Sequence, residues 1–426
     1  MSTLIRNAEI IPMTERDLHF RGDILIENGR IAAIETIDSD ADEVIDGSRM
    51  IALPSFVNAH THSPMVLMRN YKDTCEELMS WLSEIFPIED KLQDEDIYWG
   101  SKLAIAEMIQ SGCTTFADMY FQSWNTARAV RETGARAVLG LTLFGDGEET
   151  KRRFREFVPR IEEAMDGSDM IRLDAAPHAI YTCTADTYRL AVEWTEEHGH
   201  FLSTHLSETM TEVNDSLKNN GMRPAEYLDS LGVFSVPCYL AHCVHLSDSE
   251  AEMLAGHGHI SIVHNPASNM KLASGIAPVR KYRELGLNVS LGTDGASSNN
   301  NLSMMKEINL AAMLSIVSNM TPSAARPYDI LSMATINGAR ALGLDSRIGT
   351  IEEGKDADIV LINTDDVNMT PLNDPLSAVV FAADRKNIDT VFCKGKKLLE
   401  HGKLKTIDKD EAIANTYRCC DSILRS

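Results

Sequence analysis

His60 and His62 stand two apart in Phe56-Val57-Asn58-Ala59-His60-Thr61-His62. Along a strand, residues i and i+2 project from the same side. The spacing therefore sets two imidazoles side by side at a strand end, a ready clip for a metal ion. H-x-H alone is a weak signal, because two satisfied polar side chains fit it equally well. Other chemistry-bearing residues fall where further apolar runs end: Pro177-His178, Thr204-His205-Leu206-Ser207-Glu208, Ala241-His242-Cys243-Val244-His245 and Leu291-Gly292-Thr293-Asp294-Gly295. His60, His62, His205 and Asp294 together offer three nitrogens and one carboxylate, which leaves a position for water beside a divalent cation. Such a cation lowers the pKa of water to roughly 7, so the chemistry implied is hydrolysis. The same donor set suits zinc, iron or manganese.

These residues can meet only if the elements between them bring strand ends together. Apolar runs near 56–62, 114–119, 136–144, 171–178, 200–206, 238–243, 259–264 and 287–294 read as strands. Helical patterns separate them, including 96–111, which stops at Gly112, and 184–199, which opens on Thr184 and ends at Gly199. Eight strand–helix units are the number that closes a (β/α)8 barrel, whose sites sit at the C-terminal ends of the strands. An open doubly wound sheet is the rival fold. It would carry a glycine-rich phosphate turn after its first strand, and Asn58-Ala59-His60-Thr61-His62 is no such turn. Both flanks read as short strands and turns. Each alone would be a thin, edge-exposed sheet, so the two are expected to pair as a small β-sandwich. The expected organisation is 1–54 for the first part of that sandwich, 55–350 for the barrel and 351–426 for the remainder.

Hydrophobic residues make up 44% of the 426 and charged residues 24%, ordinary values for a soluble globular chain. The formal net charge of −23 argues against binding nucleic acid or an anionic membrane surface. No uncharged run approaches the ~20 residues that span a bilayer, and the charged start carries no signal peptide. The eight cysteines are scattered without a C-x-x-C pair, which fits reduced thiols in a cytoplasmic protein.

With these residues in place, the sequence resembles the amidohydrolase superfamily and, within it, the 5-methylthioadenosine/S-adenosylhomocysteine deaminases. The resemblance runs nearly end to end. It includes Pro54 to His62, Pro87-Ile88-Glu89-Asp90, Ala241 to Leu246, His264-Asn265-Pro266-Ala267-Ser268-Asn269, Gly275 to Val279, Gly292 to Ala296 and Gly354-Lys355-Asp356-Ala357-Asp358. It implies one divalent metal, usually zinc, on His60, His62, His205 and Asp294. No lysine stands at a strand end to be carbamylated as a bridge between two metals, and the Pro-Cys-x-x-Cys signature of cytidine deaminases is absent.

The implied reaction replaces the 6-amino group of an adenosine-type nucleoside by oxygen. Asp294 would take a proton from the attacking water and deliver it to the amine. His242 would hold the nucleophile or stabilise charge beside it. Glu208 would protonate the ring nitrogen, which requires burial to raise its pKa. Read without the resemblance, Glu208 is also an ordinary helix-start carboxylate and Asp294 a turn former before Gly295. Glu89 matches a ribose-binding carboxylate, and His178 a residue beside the sugar. Trp81 is a candidate apolar wall or a core residue. Small-molecule nucleosides are the implied partners, and a homo-oligomer is compatible with this type of enzyme.

One departure bears on substrate. Relatives that take S-adenosylhomocysteine use arginines for its amino-acid carboxylate. Leu141 occupies one such position, and Arg152 or Arg153 is left for the other. Methylthioadenosine, adenosine and 5′-deoxyadenosine are therefore expected to be handled at least as well. Two rivals stand beside this reading. One is an aminohydrolase or chlorohydrolase of another heterocycle, such as guanine, a pterin or a triazine, since loops set substrate on a shared fold. The other is a metal-stabilised barrel that binds a nucleoside without turnover.

Overall fold

The computed structural model describes residues 2–75 and 78–424. Five strands come first: β1 (Ser2–Ile10), β2 (Phe20–Glu27), β3 (Arg30–Glu35), β4 (Glu43–Asp46) and β5 (Met50–Pro54). Eight follow with helices between them: β6 (Phe56–Thr61), β7 (Cys113–Tyr120), β8 (Arg136–Leu143), β9 (Ile171–Pro177), β10 (Leu202–Leu206), β11 (Cys238–His242), β12 (Ile260–His264) and β13 (Asn288–Leu291). Four more, β14 (Ile359–Asn363), β15 (Ile388–Cys393), β16 (Lys396–Glu400) and β17 (Lys403–Leu404), close the chain before a last helix, Lys409–Leu424.

β6 to β13 pair in sequence order and are parallel throughout, the (β/α)8 barrel that the eight apolar runs imply. All eight residues of β7 and all eight of β8 are buried, as expected of parallel strands covered by helices. The helix expected over 96–111 runs from Asp94 to Gln110. It begins earlier because Asp96 accepts from the Gln93 backbone N–H at 2.9 Å, which caps the first turn. Thr184 does precede the helix Ala185–His198, but its side chain makes no cap hydrogen bond; its hydroxyl lies 3.3 Å from that of Thr187.

The seam between β6 and β13 is closed by hydrogen bonds that cross the strand ends. The Thr293 N–H donates to Asn58 Oδ1 at 3.0 Å, the Asp294 N–H to the His60 carbonyl at 3.0 Å, and Thr61 Oγ1 to the Asp294 carbonyl at 2.9 Å. Gly292 is required here. A Cβ on it would lie 2.4 Å from Asn265 Oδ1 and 2.8 Å from the His60 carbonyl. The other end of the barrel is filled by Ala339, Ala341, Leu342 and Ile348, packed on Val57, Ala117, Val138 and Val263.

The two flanks form one nine-stranded sheet. β5 pairs antiparallel with β14, from Pro54 opposite Ile359 to Met50 opposite Asn363. Ile5, Ile24, Ile31, Ile359, Leu361 and Phe392 share its core. A buried charge cluster bolts this sheet to the barrel. Arg136 Nη2 at the start of β8 donates to Asp356 at 3.0 Å and Asp358 at 3.2 Å. Asp358 also accepts from the Lys394 N–H and from Thr114 Oγ1. No described helix is long and apolar enough to cross a membrane.

Candidate active site

The strand ends converge as the barrel requires. His60 and His62 leave β6, His205 lies on β10, His242 ends β11, and Asp294 follows β13. Ser207, His242, Cys243 and Asp294 hold left-handed φ values of 48°, 72°, 50° and 59°. Non-glycine residues adopt such values at a cost that the surrounding structure must offset, and they gather at functional sites. At the ends of β11 and β13 the chain turns at His242 and Asp294, whose side chains line the cleft.

Asp294 Oδ1 lies 3.1 Å from His62 Nε2 and 3.5 Å from His60 Nε2, and His205 Nε2 lies 3.3 Å from His62 Nε2. Ligands held tetrahedrally at metal–nitrogen and metal–oxygen bonds of 2.0–2.1 Å stand about 3.4 Å apart. The separations are therefore edges of a coordination shell. His242 is close behind: donor atoms of His60, His205, His242 and Asp294 all lie within 4.8 Å of one another.

The tautomers agree with this arrangement. His62 Nδ1–H donates to the Met119 carbonyl at 2.6 Å, and His205 Nδ1–H to the His178 carbonyl at 2.7 Å. His242 Nδ1–H donates to Asn269 Oδ1 at 2.8 Å. Each anchor turns Nε2 inward as a free lone pair, the usual outer support of a metal-binding histidine. His60 Nε2 is buried with no hydrogen-bond partner, an arrangement that costs free energy unless a cation satisfies it. The donor set fits one divalent metal ion.

The carboxyls around this point differ in character. Asp294 Oδ2 accepts from Ser268 Oγ at 2.6 Å and Ser298 Oγ at 2.8 Å, which leaves Oδ1 for the imidazoles. Glu208 accepts from Ser274 Oγ at 3.0 Å and lies 3.7 Å from His242 Nε2. Burial pushes its pKa up, so it keeps a proton more readily than a solvated carboxyl.

A cleft of about 550 Å³, its mouth included, opens over these groups. The helix Leu78–Glu89 forms one wall with Trp81, Leu82 and Phe86. Glu89, at the end of that helix, is buried with Oε1 unpartnered, and burial pushes its pKa up to about 7. His178 stacks on Phe144 at 4.7 Å, and burial lowers its pKa to about 3, so its ring is neutral. Thr182 Oγ1 donates to the Ala179 carbonyl at 3.1 Å, so it accepts from His178 Nδ1–H at 2.9 Å and leaves the other ring nitrogen as an acceptor.

Residues 51–398 match the amidohydrolase family. The chain belongs to that family. The amidohydrolase is 41% identical, over the whole of both chains, to a 5-methylthioadenosine/S-adenosylhomocysteine deaminase of Acetivibrio thermocellus. It is 42% identical to a 5′-deoxyadenosine deaminase of Methanobrevibacter smithii, over 99% of this chain and 98% of that one. Among solved structures it is similar to a zinc-bound adenosine deaminase of Xanthomonas campestris, with a TM-score of 0.94, 30% identity, and 100% and 99% of the two chains covered.

The cleft of this amidohydrolase brings together His62, Trp81, Glu89, His178, His205, Glu208, His242 and Asp294, with His60 beneath them. Trp81 serves both readings, as a wall of the cleft and as part of the core. Arg153 is the exception. It borders a neighbouring depression that shares Glu89 and Phe121 with the cleft. Its Nε donates to Glu149 at 2.7 Å and its Nη1 to the Thr142 carbonyl at 3.1 Å, so much of its donor capacity is already used. Arg152 pairs with Glu149 and Glu156 on the surface. His245 is a support: its Nε2–H donates to the carbonyl of Ser274, whose hydroxyl holds Glu208.

Sequence reasoning missed Ser268, Ser298, Asn269 and Glu212. Ser268 and Asn269 lie within a segment that carried the family resemblance, so their position was visible and their targets were not. Thr-x-x-Glu spacing flags Glu212 only as a capping residue.

Proposed function

We propose that the chain is a metal-dependent hydrolase that deaminates adenosine-type nucleosides to the inosine analogue and ammonia. The observation that carries this is one cleft lined both by the metal donors with a buried acid, Glu208, and by a second buried carboxyl, Glu89, whose free oxygen suits a ribose diol. A free base or a triazine has no ribose diol to offer Glu89.

His60, His62, His205 and Asp294 would hold the ion, and three nitrogens with one oxygen suit zinc. The bound ion supplies the Lewis acidity that makes a water nucleophilic near neutral pH. Asp294, fixed by Ser268 and Ser298, accepts one proton from the attacking water and passes it to the departing amine. Glu208 donates to N1 as the oxygen adds to C6, so negative charge does not build up in the ring. When ammonia leaves and the C6 carbonyl forms, the water's remaining proton returns to Glu208. His242, oriented by Asn269, turns Nε2 toward the attacking water and orients it. Glu89 accepts from the ribose hydroxyls, and His178 lies against the sugar.

With Leu141 apolar and Arg153 engaged by Glu149, no free guanidinium lines the cleft among the described residues. Methylthioadenosine, adenosine and 5′-deoxyadenosine are expected to match or exceed S-adenosylhomocysteine in kcat/KM. A preference of ~100-fold, about 2.7 kcal/mol, for S-adenosylhomocysteine would overturn that specificity. The function itself is tested by the ultraviolet change from adenine to hypoxanthine and by ammonia release, with and without chelator. Glu208→Gln should keep its metal and lose 10²–10⁴-fold in kcat, on the order expected for a general acid. Turnover of free bases but not nucleosides would sink the assignment.

A further inference from the structure

Thr209-Met210-Thr211-Glu212 has the spacing of a helix-capping box, in which the glutamate reaches back to the backbone N–H of its own cap residue. The first half of that motif forms: Thr209 Oγ1 accepts from the Glu212 N–H at 3.2 Å. The second half does not. Glu212 Oε1 instead accepts from the Ser207 N–H at 2.9 Å, and Oε2 from the Glu208 N–H at 2.8 Å. Two consecutive backbone donors that converge on one anion make a nest. This nest is centred on Ser207, which holds a left-handed φ of 48° without being glycine. Glu212 is itself buried, with 5% of its surface exposed. A capping residue has no need of a buried carboxylate spread over two donors outside the helix.

The consequence falls on Glu208. Its main chain is held from one side by Glu212, and its carboxyl from the other by Ser274 Oγ. Resting on Glu208 as the proton donor, we infer that Glu212 is a positioning residue: its carboxylate locks the strained Ser207–Glu208 turn and so fixes where the donor carboxyl stands relative to the substrate ring. A displacement of 1 Å in a reacting group can cost ~100-fold in rate, so a remote anchor of this kind can carry a readable share of the proton donor's contribution.

The test is Glu212→Gln in the metal-loaded full chain. Gln keeps the volume and one acceptor oxygen, but it aims an N–H₂ at a second N–H. The expected result is a fall in kcat of ~30-fold with KM changed less than about 3-fold and one metal per chain retained. Glu212→Asp, which keeps the charge but is one methylene short, should fall between. The deciding measurement is the same change made in a Glu208→Gln background. If Glu212 acts through Glu208, its effect there shrinks to less than about 3-fold. An equal loss in both backgrounds, lost metal, or wild-type kcat in Glu212→Gln would overturn the inference. If Glu212→Gln does not fold, Glu212→Asp is carried through the same cycle with the same criteria. Failure of the parent reading looks different: Glu208→Gln alone would then turn over at the wild-type rate.

Discussion

Removing the ribose diol from the substrate, with and without Glu89, isolates the contact that separates nucleosides from other heterocycles. Glu89 is buried, its Oε1 has no protein partner, and burial raises its pKa to about 7. Hydrogen bonds to a charged group contribute ~1.5–3 kcal/mol each. Two hydroxyls on one carboxylate would exceed that, but desolvating the diol offsets part of the gain. A net ~3 kcal/mol follows, or ~150-fold in kcat/KM between adenosine and 2′,3′-dideoxyadenosine. The ionised carboxylate is the stronger acceptor. Below pH 7 the free enzyme carries Glu89 neutral and discrimination is smaller; as pH rises through 7 the group ionises and discrimination grows. The assay is the ratio of the two kcat/KM values from pH 6 to 8, read at the adenine absorbance. Protonation events common to both substrates cancel in that ratio. In Glu89→Ala the ratio should fall to within about 5-fold of unity and lose its pH dependence, since one partner of every diol hydrogen bond is gone. A variant that still discriminates as the wild type does would show that Glu89 does not read the sugar.

Three further outcomes follow from the geometry. Asn269→Ala removes the acceptor that orients His242 and should lower kcat 10–100-fold, checked by steady-state kinetics alongside metal content. Extracting the metal should lower the thermal midpoint as well as abolish turnover, because three lone pairs and a carboxylate then face one another without a cation; calorimetry with zinc added back reads the recovery. Arg136→Met strips a buried cation from Asp356 and Asp358. Asp356 keeps Arg347 at 2.7 Å and Asp358 keeps the Lys394 N–H at 2.7 Å, so the loss should sit near the low end for a broken buried pair, ~3 kcal/mol by urea unfolding.

The sequence by itself determined the barrel and which imidazoles and carboxylate meet at its mouth. Apolar runs over 136–144 and 259–264 became Arg136–Leu143 and Ile260–His264, because burial on both faces of a parallel strand is written into consecutive residues. His60 and His62 were legible for the same local reason, a spacing of two on a strand. Eight units in a row then require the strand ends to meet, which placed His205, His242 and Asp294 near them. Other features depended on residues far apart in the chain. Asp294 is held by Ser268, 26 residues away, and His242 by Asn269, 27 residues away. Arg153 turned to Glu149 rather than into the cleft. Glu212 has capping spacing, yet it serves the loop before its helix. A side chain's type states which partners it can take; only the packed chain decides which of them is within 3 Å.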